Sequence, residues 1–259
     1  MAKKKYYVVW KGREPGIFTD WDSCKKQVDK FAGARYKSFR TKEEAEAAFG
    51  GKYVKSTKTC SPRRPSAKKK RPANTIKTYT ASEIAKMEID TKIFTDGGCE
   101  PNPGEAGSGV AVYRDGVIDE LWHGLYHPMG TNNTAELNAL HHALLMAQDE
   151  VKQDKSVAIF CDSKYSIQCV TMWAINWERR GWTKKGGEIK NLELIKKIYA
   201  LHQLLKEDVK VLHVNGHVGV EGNELADRMS ILAMDTKCAD FTRYNKSIDI
   251  DTILAMRTG

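Results

Sequence analysis

The sequence predicts an α/β domain built on a mixed five-stranded sheet flanked by helices, preceded by a small α+β N-terminal domain. Three observations point there. Residues 1–50 alternate short apolar runs with turn residues, the next stretch turns to Lys, Arg, Pro, Ser and Thr, and from Thr91 strands joined by tight turns give way to alternating helices and strands. The expected boundaries are a first domain at 1–50, a flexible basic linker at 51–85, a main domain at 86–240 and a C-terminal tail at 241–259.

In the first unit, Tyr6 to Trp10 alternate as a strand, Gly12 and Pro15-Gly16 supply a turn, and Ile17-Phe18 return. A helix opens after Asp20, Arg35 to Phe39 make a third strand, and Thr41-x-x-Glu44 reads as a capping box starting a second helix that runs through Phe49. The order is β-β-α-β-α. The main domain reads as strands at 92–96, 107–114 and 117–126, a helix at 133–148, a buried strand at 156–161 and a helix at 163–179. A helix at 191–205, a strand at 208–214 and a helix at 222–235 complete it. Turns such as Arg114-Asp115-Gly116 imply an antiparallel meander, and the later strand–helix alternation implies parallel additions. Beyond Lys237 the pattern is weak and no role is assigned.

The net charge of +9 is unevenly distributed. Residues 1–90 carry 23 Lys and Arg against 10 Asp and Glu, a net of +13, while residues 91–259 carry 19 against 23, a net of −4. A basic front end can bind phosphates by releasing counterions, and the acidic remainder cannot act as a general nucleic-acid magnet. Attachment and chemistry are therefore expected in separate modules. The Lys68-Lys69-Lys70-Arg71 run is a targeting signal, a phosphate-binding arm or a solvated tether. No apolar run approaches the roughly 20 residues of a membrane helix, and the N-terminus lacks the apolar stretch of a signal peptide. Six scattered cysteines without a C-x-x-C pair indicate neither a zinc site nor a disulfide framework. The expectation is a cytoplasmic protein, monomeric and without a membrane partner.

Four acids sit at the ends or beginnings of structured elements: Asp96 in TDGG, Glu136 in NTAEL, Asp162 in FCDSKY and Asp227 in NELAD. Burying a carboxylate is costly unless positive charge shares the site, so the four together suggest bound divalent cations. Each also has a purely structural reading. Asp96 ends a strand where Gly97-Gly98 lets the backbone turn away, and Asn133-x-x-Glu136 has capping-box spacing. Asp162 can cap the helix starting at Ser163, and Asp227 can lie on a solvated helix face.

DGG followed by NPG, then TNNTAEL, the CDS strand end and GH…GNELAD resemble ribonuclease H of type 1 in order and spacing over residues 91–236. The resemblance implies a ribonuclease H-like fold, with Asp96, Glu136, Asp162 and Asp227 as ligands of two Mg²⁺ ions, Mn²⁺ being the alternative. His217, in a Gly-rich loop, matches a mobile histidine that assists water activation or product release, an ordinary exposed loop histidine being the alternative. The implied reaction is in-line attack by water on phosphorus, one ion lowering the pKa of that water and the other stabilising the leaving 3′ oxygen. The products are 5′-phosphate and 3′-hydroxyl ends. The implied substrate is the RNA strand of RNA–DNA hybrids, as in primers and R-loops.

By the same resemblance Asn102, Asn132 and Asn133 face the 2′-hydroxyls of the minor groove, and each also suits a turn or helix cap. Thr131 and Asn191 match a pocket for a DNA phosphate, where Met129 departs from the Arg of some relatives. Trp173, Trp177 and Trp182, with Arg179, Arg180, Lys184 and Lys185, resemble a substrate-handling helix and protrusion. Core packing is the alternative for the tryptophans. YYVVWKGREPGIF, the DW before a helix and ARYKSF resemble the hybrid-binding domain attached to many type 1 enzymes. There Tyr7, Trp21 and Tyr36 stack on DNA sugars and Arg35 and Lys37 meet phosphates or the RNA side, with Ser38 where some relatives carry a second Lys; the alternative makes Tyr7 and Tyr36 core residues of a tiny domain. That domain also offers a site for double-stranded RNA. A non-catalytic hybrid- or double-stranded-RNA-binding protein and a DNA-cutting enzyme on the same sheet are the rival readings.

Overall fold

The structure is a computed structural model that describes residues 5–29, 31, 33–50, 76–216 and 218–259. The chain divides into two compact units, Met1–Lys70 and Arg71–Gly259.

In the first unit, β1 (Tyr6–Lys11), β2 (Gly16–Phe18), α1 (Trp21–Val28), β3 (Arg35–Phe39) and α2 (Lys42–Phe49) follow the expected order. The sheet is antiparallel with β1 in the middle. Because successive side chains of a strand point to opposite faces, Val8 and Val9 seed two cores. Val8 packs with Phe39, Ala45 and Ala48 under α2, and Val9 with Cys24 and Val28 under α1. Asp20 caps α1 by accepting the Ser23 N–H at 2.7 Å, and Thr41 caps α2 by accepting that of Glu44 at 3.2 Å. The expected capping box is only half formed, because the Glu44 carboxylate turns to the N–H of Arg40 instead of Thr41.

The second unit opens with β4 (Thr78–Tyr79) and α3 (Ala81–Ala85), followed by β5 (Thr91–Glu100), β6 (Gly104–Arg114), β7 (Val117–Gly130) and α4 (Asn132–Val151). Then come β8 (Val157–Cys161), α5 (Lys164–Gln168), α6 (Ala174–Glu178), α7 (Leu192–Leu205), β9 (Val209–Val214), α8 (Glu221–Asp235), β10 (Thr242–Arg243) and α9 (Ile250–Leu254). The sheet order is β10-β7-β6-β5-β8-β9-β4, with β5, β6 and β7 antiparallel and β5, β8 and β9 parallel. The five expected strands are present in a mixed sheet, but the described residues form seven. β4 adds to β9, pairing Thr78 with His213, and β10 adds to β7, pairing Thr242 with His123. Two residues are too few to show a period, so neither strand was legible.

Two further expectations are corrected. The C-terminal part of the stretch read as linker is structured: Thr80 and Glu83 form a reciprocal capping box on α3, and Ile84 is buried. The tail is also part of the fold, since Asp249 caps α9 and Ile253 is fully buried beside Phe94, Leu225 and Met229. The helix expected at 163–179 is continuous in space but widens to a π-helical turn at Cys169–Trp173 between α5 and α6.

Alternation along β5 and β8 sends Ile93 and Ile159 to one face, under α4 and α7, and Phe94 and Phe160 to the other, under α8 and α9. Missing side chains let these helices approach the sheet. A Cβ on Gly97 would lie 2.2 Å from the Glu136 nitrogen, and one on Gly109 would lie 2.1 Å from the Ala226 oxygen. Both contacts are backbone, which cannot swing aside as a flexible side-chain end can.

Gly97→Ala is therefore expected to destabilise the protein by about 1–3 kcal/mol through overpacking, read as a lower urea midpoint. An unchanged midpoint would show that α4 can move away from β5 at no cost.

Candidate active site

Each acid is presented by a different element. Asp96 lies within β5, which runs on to Glu100 rather than ending at the acid as expected. Gly97 and Gly98 therefore do not release the chain from the sheet; Gly97 makes room for the α4 backbone beside Asp96. The true cap of α4 is Thr131, whose hydroxyl accepts the Thr134 N–H at 3.2 Å, so Glu136 is no capping residue and projects from the following turn. Ser163 caps α5 through the Ser166 N–H, which leaves Asp162 at the end of β8 to accept from Asn223 Nδ2 at 3.3 Å. Asp227 sits on the inner face of α8, buried rather than solvated, and pairs with the Arg228 guanidinium.

Oxygens of Asp96, Glu136 and Asp162 lie within 4.8 Å of one another. Asp227 lines the same cavity, of about 640 Å³, as does Asn132. Burial, then the charges of Asp162 and Asp227, push the Asp96 carboxyl well above the usual carboxylate range. Burial, then Asp96 and Asp162, do the same to Glu136. Glu136 Oε2 is buried without a hydrogen-bond partner. An all-oxygen, hard-donor set with an orphaned buried oxygen and mutual repulsion fits a divalent cation such as Mg²⁺.

Asn102, Thr131, Asn133 and Asn191 meet at a second cavity of about 560 Å³, together with Pro103, Thr134 and Lys190. The Thr134 hydroxyl joins them, contacting the Thr131 hydroxyl at 2.8 Å and donating to Asn191 Oδ1 at 3.1 Å. Thr134 and Lys190 escaped the sequence reading, although Thr131-x-x-Thr134 has helix-cap spacing. Asn191 adopts the left-handed region at φ 56°, which suits Asn. Met129 is exposed and outside this cavity's lining. Trp173 and Trp177 pack 5.9 Å apart, and both, with Trp182, lie half-buried against the core, as the packing alternative held. Arg179, Arg180, Lys184 and Lys185 remain exposed around them. His217 lies outside the described residues.

In the N-terminal unit Trp21 bridges Tyr7 and Tyr36, with centroids 5.5 and 5.8 Å away. Trp21 is 41% and Tyr36 46% exposed, so this aromatic cluster is open to a ligand. Arg35 and Lys37 flank Tyr36 along β3 and, by strand alternation, point to its other face.

A family model for RNase H matches residues 88–234, and one for the ribonuclease H1 N-terminal domain matches residues 5–49. The chain is 30% identical over 256 residues to ribonuclease H1 of Rattus norvegicus, covering 87% of each. It is 41% identical over 137 residues to ribonuclease H of Thermosynechococcus vestitus, covering 52% of this chain and 82% of that protein. The crystal structure of LC9-RNase H1, a type 1 RNase H with the type 2 active-site motif, shares the fold at 22% identity and TM-score 0.50, over 64% of this chain and 81% of that one. The chain belongs to the ribonuclease H family, and carries a ribonuclease H1 N-terminal domain ahead of its RNase H domain.

The raised carboxyls give a stability test. Where a native carboxyl holds its proton to higher pH than the unfolded chain does, stability falls as pH rises from the ordinary carboxylate pKa through the native one. Without metal at pH 8, Glu136→Gln should therefore melt a few degrees above the unmodified protein, with the gap narrowing toward pH 4. Saturating Mg²⁺ should reverse the order by stabilising only the intact acid set. Thermal melts in chelator and in Mg²⁺ across that range check this, and a gap independent of pH and metal would contradict it.

Proposed function

We propose that this chain is a divalent-cation-dependent endonuclease that hydrolyses the RNA strand of RNA–DNA hybrids to 5′-phosphate and 3′-hydroxyl ends. The observation that carries the reading is the trio Asp96, Glu136 and Asp162, gathered with one buried orphan oxygen in the cavity of a ribonuclease H-family domain. Membership of a family whose relatives are named ribonuclease H supports the substrate class. Removal of RNA primers and R-loops, in the cytoplasm, is the biological role that fits such an activity.

Asp96, Glu136, Asp162 and Asp227 would hold two Mg²⁺ ions, which when bound supply a water of lowered pKa and charge to stabilise the leaving 3′ oxygen. The chain's own contribution is placement. Asp96 is held on a central strand, paired with Gly109 of β6 and one residue beyond the last pair that β5 makes with β8, so the sheet sets its position. Glu136 and Asp227 arrive on helices pressed against that sheet. Asn132 stands at the lip of the cavity, where a 2′-hydroxyl of the cut strand would distinguish RNA. The Asn102, Thr131, Thr134 and Asn191 cavity, with the Lys190 cation, is suited to a backbone phosphate. His217, by resemblance, would assist water activation or product release. Tyr7, Trp21 and Tyr36 would stack on sugars, while Arg35 and Lys37 neutralise phosphates.

Asp162→Asn should reduce cleavage below a few per cent of the unmodified rate at saturating Mg²⁺ while leaving hybrid affinity within about twofold, because the groove contacts remain. A gel assay with hybrid, duplex DNA and duplex RNA, beside a binding titration, measures both and separates a nuclease from a binding protein. Substantial turnover by the variant would remove Asp162 from the site.

Deleting residues 1–50 should weaken hybrid binding and flatten its salt dependence, since fewer phosphate contacts release fewer counterions. The single-turnover rate at saturating enzyme should persist, because all four acids lie beyond residue 91. Collapse of that rate, or an unchanged salt slope, would contradict the division of labour.

A further inference from the structure

The end of the described chain lies in the acidic cavity. Helix α9 is anchored: Asp249 accepts from the Thr252 N–H and hydroxyl, and Ile253 is fully buried in the core on the α8 side. The Leu254 carbonyl accepts from Nε and Nη2 of Arg228, each at 3.3 Å, and the remaining Nη1 of that guanidinium pairs with Asp227. From this anchor Arg257, Thr258 and Gly259 continue along the cavity wall with Asp96, Glu136 and Asp162. Arg257 donates to Glu100 at 2.9 Å and to Asp235 at 3.0 Å. The Gly259 N–H meets Asp227 Oδ1 at 3.2 Å and Oδ2 at 3.4 Å.

These contacts set Asp227 apart from its neighbours. Oxygens of the other three acids share one small volume, whereas Asp227, although within hydrogen-bond reach of Asp96, lies outside that set among the described residues and is also engaged by Arg228 and Gly259. A carboxylate oxygen that ligates a cation gives up part of its hydrogen bonding to do so. Of the two donors, Arg228 is buried and locked by Leu254, while Gly259 is exposed and follows the exposed ion pairs of Arg257. Such exposed pairs are individually weak, so the Gly259 contact is the one that yields.

We propose that Arg257–Gly259 form a strap that closes the metal-free site by occupying Asp227, and that divalent cations displace it. The inference rests on the metal-dependent reading above. Binding of the strap and of the cation to Asp227 are mutually exclusive, so by linkage each weakens the other by the same factor. The strap holds the site closed in the absence of cation and makes Asp227 available when cation arrives.

The test uses the full chain and reads cation binding rather than turnover. Mg²⁺ and Mn²⁺ are titrated calorimetrically into the unmodified protein, into Gly259→Pro, which deletes the N–H donor and adds a Cβ that would meet Asp227 Oδ1 at 2.7 Å with the segment in place, and into Arg257→Ala, which deletes both ion pairs. Hydrogen exchange of residues 255–259 is followed with and without Mg²⁺. The strap predicts about three- to tenfold tighter cation binding in Gly259→Pro, a gain in the same direction in Arg257→Ala, and faster exchange of the segment in the unmodified protein once Mg²⁺ is added. Metal-free melts of both variants establish that they are folded. Unchanged or weaker binding by folded Gly259→Pro, with normal binding by the unmodified protein, would overturn the strap and leave the metal site standing. Absence of saturable binding in the unmodified protein would overturn both.

Discussion

Repulsion among carboxylates held at one point of the sheet is the constraint on which the rest of this structure depends. Asp96, Glu136 and Asp162 bring oxygens within 4.8 Å of one another, and burial together with the neighbouring charges lifts the carboxyls of Asp96 and Glu136 well above their ordinary range. A loose scaffold would relieve that repulsion by moving the acids apart. Here each is carried by an element that cannot move freely: a central strand, the end of a buried parallel strand and two helices whose backbones touch the sheet where glycines leave room. The apolar layers on the two faces, with Ile93 and Ile159 on one and Phe94 and Phe160 on the other, hold the acids in place against their mutual repulsion. That stored repulsion is what a divalent cation would relieve, and Arg228 and Gly259 answer part of it at Asp227.

The N-terminal unit solves a different problem. With 20 Lys and Arg against 7 Asp and Glu in residues 1–70, this unit carries the net positive charge, while the four acids belong to the other. Its two small cores lie on opposite faces of β1, and the Tyr7, Trp21 and Tyr36 cluster is left open at the surface. Aromatic faces and phosphate-seeking cations are separable functions, and β3 separates them by strand alternation, with Tyr36 on one face and Arg35 and Lys37 on the other.

Much of this was legible in the sequence, for physical reasons that also explain what was not. The Val157 to Cys161 run could only be a buried strand, and the Asn132–Val151 helix shows its period over twenty residues. The acids were recognisable from the order and spacing of the motifs that carry them, each being a weak signal alone. Their individual structural roles were misread: Asp96 is not at a strand end, and the caps beside Glu136 and Asp162 are Thr131 and Ser163, which a sequence cannot rank against adjacent Asn and Asp. The two edge strands are two residues long, and α3 and α9 each bury one isoleucine, so their order comes from tertiary contacts with no local period to betray it. Lys190 and the Arg257–Gly259 segment belong to cavities assembled from distant parts of the chain, which spacing alone does not disclose.

The central claim is that the four acids form one cation site on a rigid sheet. Anomalous diffraction from crystals of the full chain with an RNA–DNA hybrid and Mn²⁺ tests it most directly. The account predicts two anomalous peaks in the cavity, with Asp96 a ligand and Glu136, Asp162 and Asp227 completing the set. Peaks elsewhere, or a hybrid seated in the cavity with no peak among these carboxylates, would contradict it.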